Sequence, residues 1–185
     1  MKKNLYFIVL SSFVVVQTEM QSYSLIKRIE LAEIRFYPPV MMAKHLSSKK
    51  GSGFGKLFEY ISGNNTKNTK IAMTSPVHIE NKLGESSMAF VLPRKFTDDN
   101  TPQPNDSSLI VFEDKGGYFA AIEYSGYTNP LKEKKHSEIL YQLLDNENIT
   151  PSGSAKILVY NSPYKIINRR NEILIPISFD HDTFE

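Results

Sequence analysis

The side chains best suited to chemistry in this chain are histidines, and their spacing does not favour catalysis. No two of them stand at the helical or hairpin spacing that a zinc site needs. They are His45, His78, His136 and His181. Cysteine is absent, which excludes disulfides, thiolate zinc sites and cysteine nucleophiles. The sequence also lacks a Gly-x-Ser-x-Gly elbow and a phosphate-binding loop, so it indicates a binding protein and not an enzyme.

A short amphipathic helix is the clearest candidate for a ligand contact. Its apolar positions fall at i, i+3, i+4 and i+7, which is one face of a helix. They are Phe54, Leu57, Phe58 and Ile61. Gly63 follows the segment as a plausible C-terminal cap, and Lys56 adds a cation to it. Such a face either packs on a sheet or forms the wall of an apolar slot, and the sequence leaves both readings open.

Strands must supply the rest of the scaffold, because most other segments are rich in apolar residues and bounded by turn formers. Strands are predicted at residues 24–37, 40–46, 71–80, 87–92, 109–113, 118–124, 156–160 and 172–178. A second helix is predicted to open at Pro130. Each half of the chain then has the order strand, strand, helix, strand, strand. We predict an α+β fold in which this duplicated unit forms a curved, barrel-like antiparallel sheet of about eight strands, with two helices outside it.

Length and charge limit the number of domains and the classes of partner. At 185 residues the chain is long enough for one well-buried core and too short for two comfortable domains. The net charge is +2, from 22 basic and 20 acidic residues, and no long basic run occurs. We therefore expect no nucleic-acid partner, since such binding depends on clustered cations.

The N-terminus has the composition of an export signal. Lys2 and Lys3 precede an almost unbroken apolar run from Leu5 to Val16, which is too short for a bilayer that needs ~20 residues. We predict a secretion signal or an uncleaved N-terminal anchor over residues 1–21 and one domain over residues 22–185. The protein is then expected in the periplasm or outside the cell, with membrane contact only through this segment.

Five motifs in this order and spacing resemble the SOUL/haem-binding-protein family across residues 23–177. Each motif is weak alone, and the set is specific. They are residues 33–39 (Glu-Ile-Arg-Phe-Tyr-Pro-Pro), the helical segment 53–64, residues 73–77 (Met-Thr-Ser-Pro-Val), residues 88–93 (Met-Ala-Phe-Val-Leu-Pro) and residues 169–172 (Arg-Arg-Asn-Glu). The resemblance implies two repeated units in a twisted barrel flanked by two helices, in agreement with the pattern above.

The resemblance also implies a ligand. It predicts reversible, non-covalent binding of haem or a related tetrapyrrole in a hydrophobic cleft beside the first helix, as a carrier or buffer. The helix face above would line that cleft, and His45 is the candidate axial ligand of the iron. Candidate cations for the propionates are Lys49, Lys50, Lys56 and Arg169. Family members commonly carry basic residues along this helix, where this chain has Gly51 and Glu59 beside Lys56.

An alternative function is a binding module for other amphipathic or cationic small molecules, like the similarly duplicated gyrase-inhibitor-like effector domains. Those domains place an acidic residue in a central groove. Glu123, within the apolar strand 118–124, is the possible counterpart, because a carboxylate in an apolar strand needs a partner. Residues 169–172 have a structural reading as well, in which Arg169, Arg170 and Glu172 form ion pairs that close the last hairpin.

Overall fold

The computed structural model describes residues 18–47, 53–82 and 84–178. Two helices lie in these ranges, α1 (Phe54–Ile61) and α2 (Pro130–Asn146). The strands are β1 (Glu19–Met20), β2 (Ser24–Ile29), β3 (Ala32–Tyr37), β4 (Val40–Ser47), β5 (Thr74–Ser75), β6 (Val77–Lys82), β7 (Glu85–Val91), β8 (Leu109–Asp114), β9 (Gly117–Ser125), β10 (Lys156–Val159) and β11 (Arg170–Pro176).

Nine of these strands form one curled antiparallel sheet in the order β2-β3-β9-β11-β10-β6-β7-β4-β8. The remaining two, β1 and β5, pair in parallel as a separate small sheet. One row of directly paired residues crosses five strands of the large sheet from Ile173 through Ile157, Ile79 and Met88 to His45. In this row, Ile173, Ile157 and Ile79 belong to the apolar cluster that contains α2, and Met88 belongs to the cluster that contains α1. The two helices therefore lie on the same side of the sheet, which we call the helix face.

The two helices bury separate apolar clusters against the helix face. Buried side chains of α1 pack on β4 and β7, and those of α2 pack on β9 and β11. The α1 cluster is Met41, Ala43, Leu57, Tyr60, Ile61, Ile71, Phe90, Leu92 and Leu109. Because a β-strand alternates its side chains, β4 directs Met41, Ala43 and His45 to this helix face.

Local signals explain where the helices begin and end. Asn129 caps α2, since its Oδ1 accepts a hydrogen bond from the backbone N–H of Lys132 at 3.0 Å, and Pro130 occupies the first turn. Helix α1 follows Gly53 and ends before Gly63, which has φ +122°, a conformation that favours glycine. Both predicted helices are therefore confirmed, and the α+β fold with a curled antiparallel sheet is confirmed with them. The duplication of the unit stays a prediction.

The strand predictions need two corrections. Residues 24–37 form a hairpin and not one strand, because the chain reverses at Glu30 and Leu31, where Glu30 has φ +46°. Residues 71–80 contain only β5 and the start of β6, which are separated by Pro76, a residue that cannot donate to a ladder. The hairpin explains why the sheet has nine strands where about eight were expected.

The fold also includes residues that the sequence assigned to the leader. Glu19 and Met20 pair with β5, and the backbone N–H of Gln21 donates to Ser75 O at 2.8 Å. The folded region thus begins before Ser22. Residues 1–17, Lys49, Lys50 and His181 lie outside the described residues. Within the described ranges, no helix has the length and apolarity required to cross a bilayer.

Candidate functional site

Two phenyl rings on α1 are open to solvent. Phe54 and Phe58 have relative exposures of 41% and 51%, although phenylalanine is usually buried. Their rings are almost parallel, with centroids 6.0 Å apart and an interplanar angle of 12°. The Phe54 ring also packs in an edge-to-face arrangement with the buried Phe90 ring, and their centroids are 5.3 Å apart. We call Phe54, Phe58 and Phe90 the aromatic patch. Its exposed surface consists of the Phe54 and Phe58 rings, and the buried Phe90 ring supports the first of them from below.

The other two predicted wall residues belong to the core. Leu57 and Ile61 are buried in the α1 cluster beside Tyr60. The spacing predicts the apolar face correctly, but it cannot distinguish the centre of that face from its edge. Phe54 and Phe58 lie on the edge, so theirs are the wall side chains that a ligand can reach here. Whether any of the four contacts a ligand stays a prediction.

Tyr60 is a buried anchor of α1 that the sequence reasoning did not single out. Its ring is fully buried, and its hydroxyl donates to the carbonyl oxygen of Pro102 at 2.7 Å. Burial raises the pKa of Tyr60 to about 12, so the hydroxyl remains a donor at neutral pH. This bond joins α1 to the loop before β8 and helps to fix the helix that carries the aromatic patch.

His45 lies beneath the start of α1. A Cβ atom built on Gly53 would lie 3.1 Å from Nδ1 of His45 and 3.2 Å from Cβ of Met88, so glycine allows the helix start to approach the imidazole closely. The histidine is buried, and Nδ1 has no hydrogen-bond partner among the residues that the structure describes. An unpaired buried polar atom costs ~1–3 kcal/mol. A nitrogen in this state is chemically suited to bind a metal, which would supply the missing partner.

Of the predicted cations, the two within the described residues, Lys56 and Arg169, are already engaged. Nζ of Lys56 lies 3.1 Å from Oδ2 of Asp106 and donates to Oγ of Ser108 at 2.7 Å. Hydrogen bonds from Ser108 and then from Lys56 lower the pKa of Asp106 to about 2, so this carboxylate is ionised at neutral pH. Arg169 donates to the backbone carbonyls of Ser162 and Lys165, each at 2.7 Å.

A buried ion network occupies the opposite side of the sheet, the helix-free face. Glu172 is completely buried and accepts two hydrogen bonds from Arg35, at 2.8 and 3.1 Å, and one each from Tyr160 and Arg170, both at 2.7 Å. Burial alone would raise the pKa of Glu172, but the bonds from Arg35 and Arg170 lower it below its usual value. The predicted ion pair is thus confirmed for Arg170, whereas it is wrong for Arg169.

Glu123, the acidic residue of the alternative function, lies directly opposite Glu172 on β9. Its side chain is 60% exposed and pairs with Arg170 at 3.1 Å. The Arg170 guanidinium therefore pairs with both carboxylates, and Arg35 supplies a second positive charge to Glu172. A cationic ligand at Glu123 would first have to displace Arg170.

Two cavities lie elsewhere in the described part of the chain. One, of about 240 Å³, is enclosed by β1, the start of β4 and the end of β7, and is bordered by Met41, Thr74, Leu92 and Phe96. The other, of about 200 Å³, opens on the helix-free face between Lys44, Glu80, Asp114 and Lys156. Neither is lined by a residue of the predicted site, so the hydrophobic cleft expected beside α1 stays a prediction. In the described ranges, no three acidic or histidine side chains are grouped so as to hold a metal ion.

Comparison with known proteins identifies relatives. Residues 18–176 match the sequence profile of the family described as SOUL heme-binding protein. Heme-binding protein 2 of Homo sapiens is 30% identical over 159 residues, which cover 76% of this chain and 75% of that protein.

Solved structures share the fold at low identity. The EcmrR C-terminal domain superposes with a TM-score of 0.62 at 10% identity, covering 85% of this chain and 99% of that chain. A hydrolase from Listeria innocua superposes with a TM-score of 0.59 at 11% identity, covering 80% and 91%. Identities this low establish a common fold and carry no information about activity.

Proposed function

The chain belongs to the SOUL haem-binding protein family, and we propose that it binds haem or a related tetrapyrrole reversibly, without a covalent bond, on the aromatic patch of α1. The observation that carries this proposal is the exposed, nearly parallel pair of Phe54 and Phe58 rings. Family membership supports the class of ligand, and the exposed rings support the place.

Apolar contact supplies most of the binding free energy in this proposal. Haem is a large flat apolar body with two carboxylates, and it needs an apolar surface to cover its faces. About half of each of the two exposed rings remains to be buried. Burying the rest of one phenyl ring contributes ~1 kcal/mol to the binding free energy, so the two rings together contribute ~2 kcal/mol. Contacts of haem with other side chains add to this amount.

His45 is the proposed axial ligand of the iron. Its unpaired Nδ1 lies next to Gly53, one residue before Phe54, so both proposed contacts lie at the start of α1. Because Nδ1 is itself buried beneath Gly53, the start of α1 would have to move aside for an iron to reach it, and the iron would then be bound by imidazole as in many haem proteins. Replacing His45 should change the spectrum of the bound haem more than its affinity, because the apolar contacts persist.

The propionates receive little help from Lys56. Its ammonium is held by Asp106 and Ser108. To pair with a propionate, Lys56 would have to give up its ion pair with Asp106. We therefore propose that affinity depends weakly on ionic strength, since screening by salt weakens exposed charge pairs and leaves apolar contacts intact.

Titration of haem into purified protein tests the proposal. Wild-type protein should give a saturable shift of the haem Soret band, and removal of both rings in Phe54→Ala/Phe58→Ala should weaken binding ~30-fold. Tyr141→Ala is the matched control, since it removes a partly exposed ring from the other helix. Equal affinities for the wild type and the double variant would refute the site, and no saturable shift in the wild type would refute the function.

We further propose that the protein is a carrier or buffer and not an enzyme, and that it acts after export. The absence of nucleophile, phosphate-loop and zinc motifs from the sequence supports the first point, and Lys2, Lys3 and the apolar run after them support the second. Turnover of haem or of an ester substrate would overturn the former. N-terminal sequencing of protein from the producing cells tests cleavage, which is expected before Glu19 because that residue belongs to β1.

A further inference from the structure

The loop between β10 and β11 presents apolar side chains to solvent. Tyr164, Ile166 and Ile167 have relative exposures of 90%, 75% and 73%. Isolated exposed apolar residues are ordinary, but three within four positions at the tip of one loop form a patch that needs a partner. Lys165 stands among them, so the tip combines an aromatic ring, two aliphatic chains and a cation.

The loop is held in this form by polar contacts at its base, made by the buried Arg169 and the exposed Tyr127. The Arg169 guanidinium donates to the carbonyls of Ser162 and Lys165 and lies 4.3 Å from the centroid of the Tyr127 ring. The hydroxyl of Tyr127 donates in turn to Pro163 O at 3.1 Å. These contacts fix the backbone of the loop, while its three apolar side chains remain exposed.

Charge favours a negatively charged partner. From Asn148 to Asn171 the sequence contains no acidic residue. Lys165 supplies the cation at the loop tip, whereas Arg169 is buried against backbone carbonyls and Arg170 is paired with Glu123 and Glu172.

Leu31 and Leu131 are two further exposed leucines, and Leu131 lies in the first turn of α2, which follows the C-terminal end of β9. Leu31 lies at the same end of the sheet as the loop. The start of β3, directly after the β2–β3 turn, and the start of β11 are both paired near the C-terminal end of β9.

We propose that this loop docks the protein on an anionic lipid bilayer, with Tyr164, Ile166 and Ile167 inserted at the level of the headgroups and Lys165 in contact with lipid phosphates or carboxylates. Tyrosine and lysine suit this boundary, because each has an apolar body and a polar end. A protein partner fits less well, since a standard interface uses roughly 20–30 residues on each side. The proposal is independent of haem binding and adds a membrane contact beyond the N-terminal segment.

A tryptophan reporter tests the proposal, because the natural chain contains no tryptophan. Tyr164→Trp places the single indole at the loop tip, and Tyr141→Trp is the matched control. Tyr141 lies 11 positions beyond the start of α2, or ~16 Å along the helix, which exceeds the ~5–10 Å depth of interfacial insertion. Both full-length proteins, without haem, are mixed with vesicles of phosphatidylcholine alone or of phosphatidylcholine and phosphatidylserine in equal parts.

The expected result is a blue shift of the Tyr164→Trp emission with the mixed vesicles, a much smaller shift with phosphatidylcholine, and none for Tyr141→Trp. Adding Ile166→Asp and Ile167→Asp to the Tyr164→Trp protein should remove the shift and leave its circular dichroism unchanged, since both isoleucines are exposed. The apolar N-terminal run is present in every variant and therefore cancels in the comparison. An unshifted Tyr164→Trp emission, equal shifts at both positions, equal shifts with both vesicles, or a concentration-dependent shift without vesicles would overturn the proposal.

Discussion

Protonation of His78 should destabilise the fold well above the pH at which carboxylates titrate. His78 lies on the helix-free face, where its Nε2 is 2.8 Å from Oε1 of Gln21. Burial, followed by the nearby charge of Lys156, lowers its pKa from 6.5 to about 3. The unfolded chain therefore binds a proton between these values that the folded chain rejects, and stability must fall as the pH falls through 6.5.

The size of this loss follows from the pKa of the unfolded state alone. At pH 5 the imidazole of the folded protein is still neutral, whereas in the unfolded chain the pH is about one and a half units below the pKa of 6.5. Each such unit stabilises the unfolded state by ~1.4 kcal/mol. The free energy of unfolding should therefore decrease by ~2 kcal/mol between pH 7 and pH 5 on account of His78. The result is insensitive to the folded pKa as long as that value stays below 5.

Urea unfolding of wild type and His78→Gln at both pH values isolates this contribution. Glutamine keeps a polar group near Gln21 and cannot titrate, so the variant should lose ~2 kcal/mol less than the wild type over this interval. Taking the difference of the two losses cancels every other group that titrates in both proteins. Equal losses in wild type and variant would refute the reasoning.

Further predictions concern the two faces of the sheet. Glu172→Gln should lower the free energy of unfolding by ~3–5 kcal/mol, because it removes the buried negative charge shared by Arg35, which is buried, and Arg170, which is half-buried. Glu123→Gln, which alters an exposed carboxylate, should cost less than ~1 kcal/mol in the same urea titration. Tyr60→Phe should cost ~1–2 kcal/mol by removing the donor to Pro102 O, and an unchanged unfolding midpoint would show that this bond is not needed. His45→Ala should shift the Soret maximum of bound haem while the affinity changes less than in the phenylalanine double variant, and identical spectra would exclude axial ligation by His45.

The sequence predicted the elements with strong local signals and missed those that depend on distant partners. Both helices carry apolar periodicity and cap residues, so their starts at Phe54 and Pro130 were found. The reversal at Glu30 and Leu31 was missed because neither residue is a turn former. The pairing of β1 with β5 involves two residues on each side, and so short a strand has no periodicity to read.

The sequence placed the candidate site residues on the correct elements and faces, and their role in binding stays a prediction. Periodicity identified the helix face that carries Phe54 and Phe58, and strand alternation placed His45 on the same face as Met41, as the structure has it. Neither signal reports how deeply a side chain is covered by the rest of the fold. For the same reason the sequence directed attention to Glu123, while the buried carboxylate is its cross-strand neighbour Glu172.

Mapping the position of the bound haem tests the central claim most directly. Ferric haem broadens the nuclear magnetic resonance signals of nearby residues, and zinc protoporphyrin, which has no unpaired electrons, serves as the reference ligand. The account predicts that broadening is strongest for Phe54, Phe58 and the neighbouring residues of α1, with signals around Tyr141 on α2 unaffected. Broadening centred on the helix-free face around Glu123, with α1 unaffected, would contradict it.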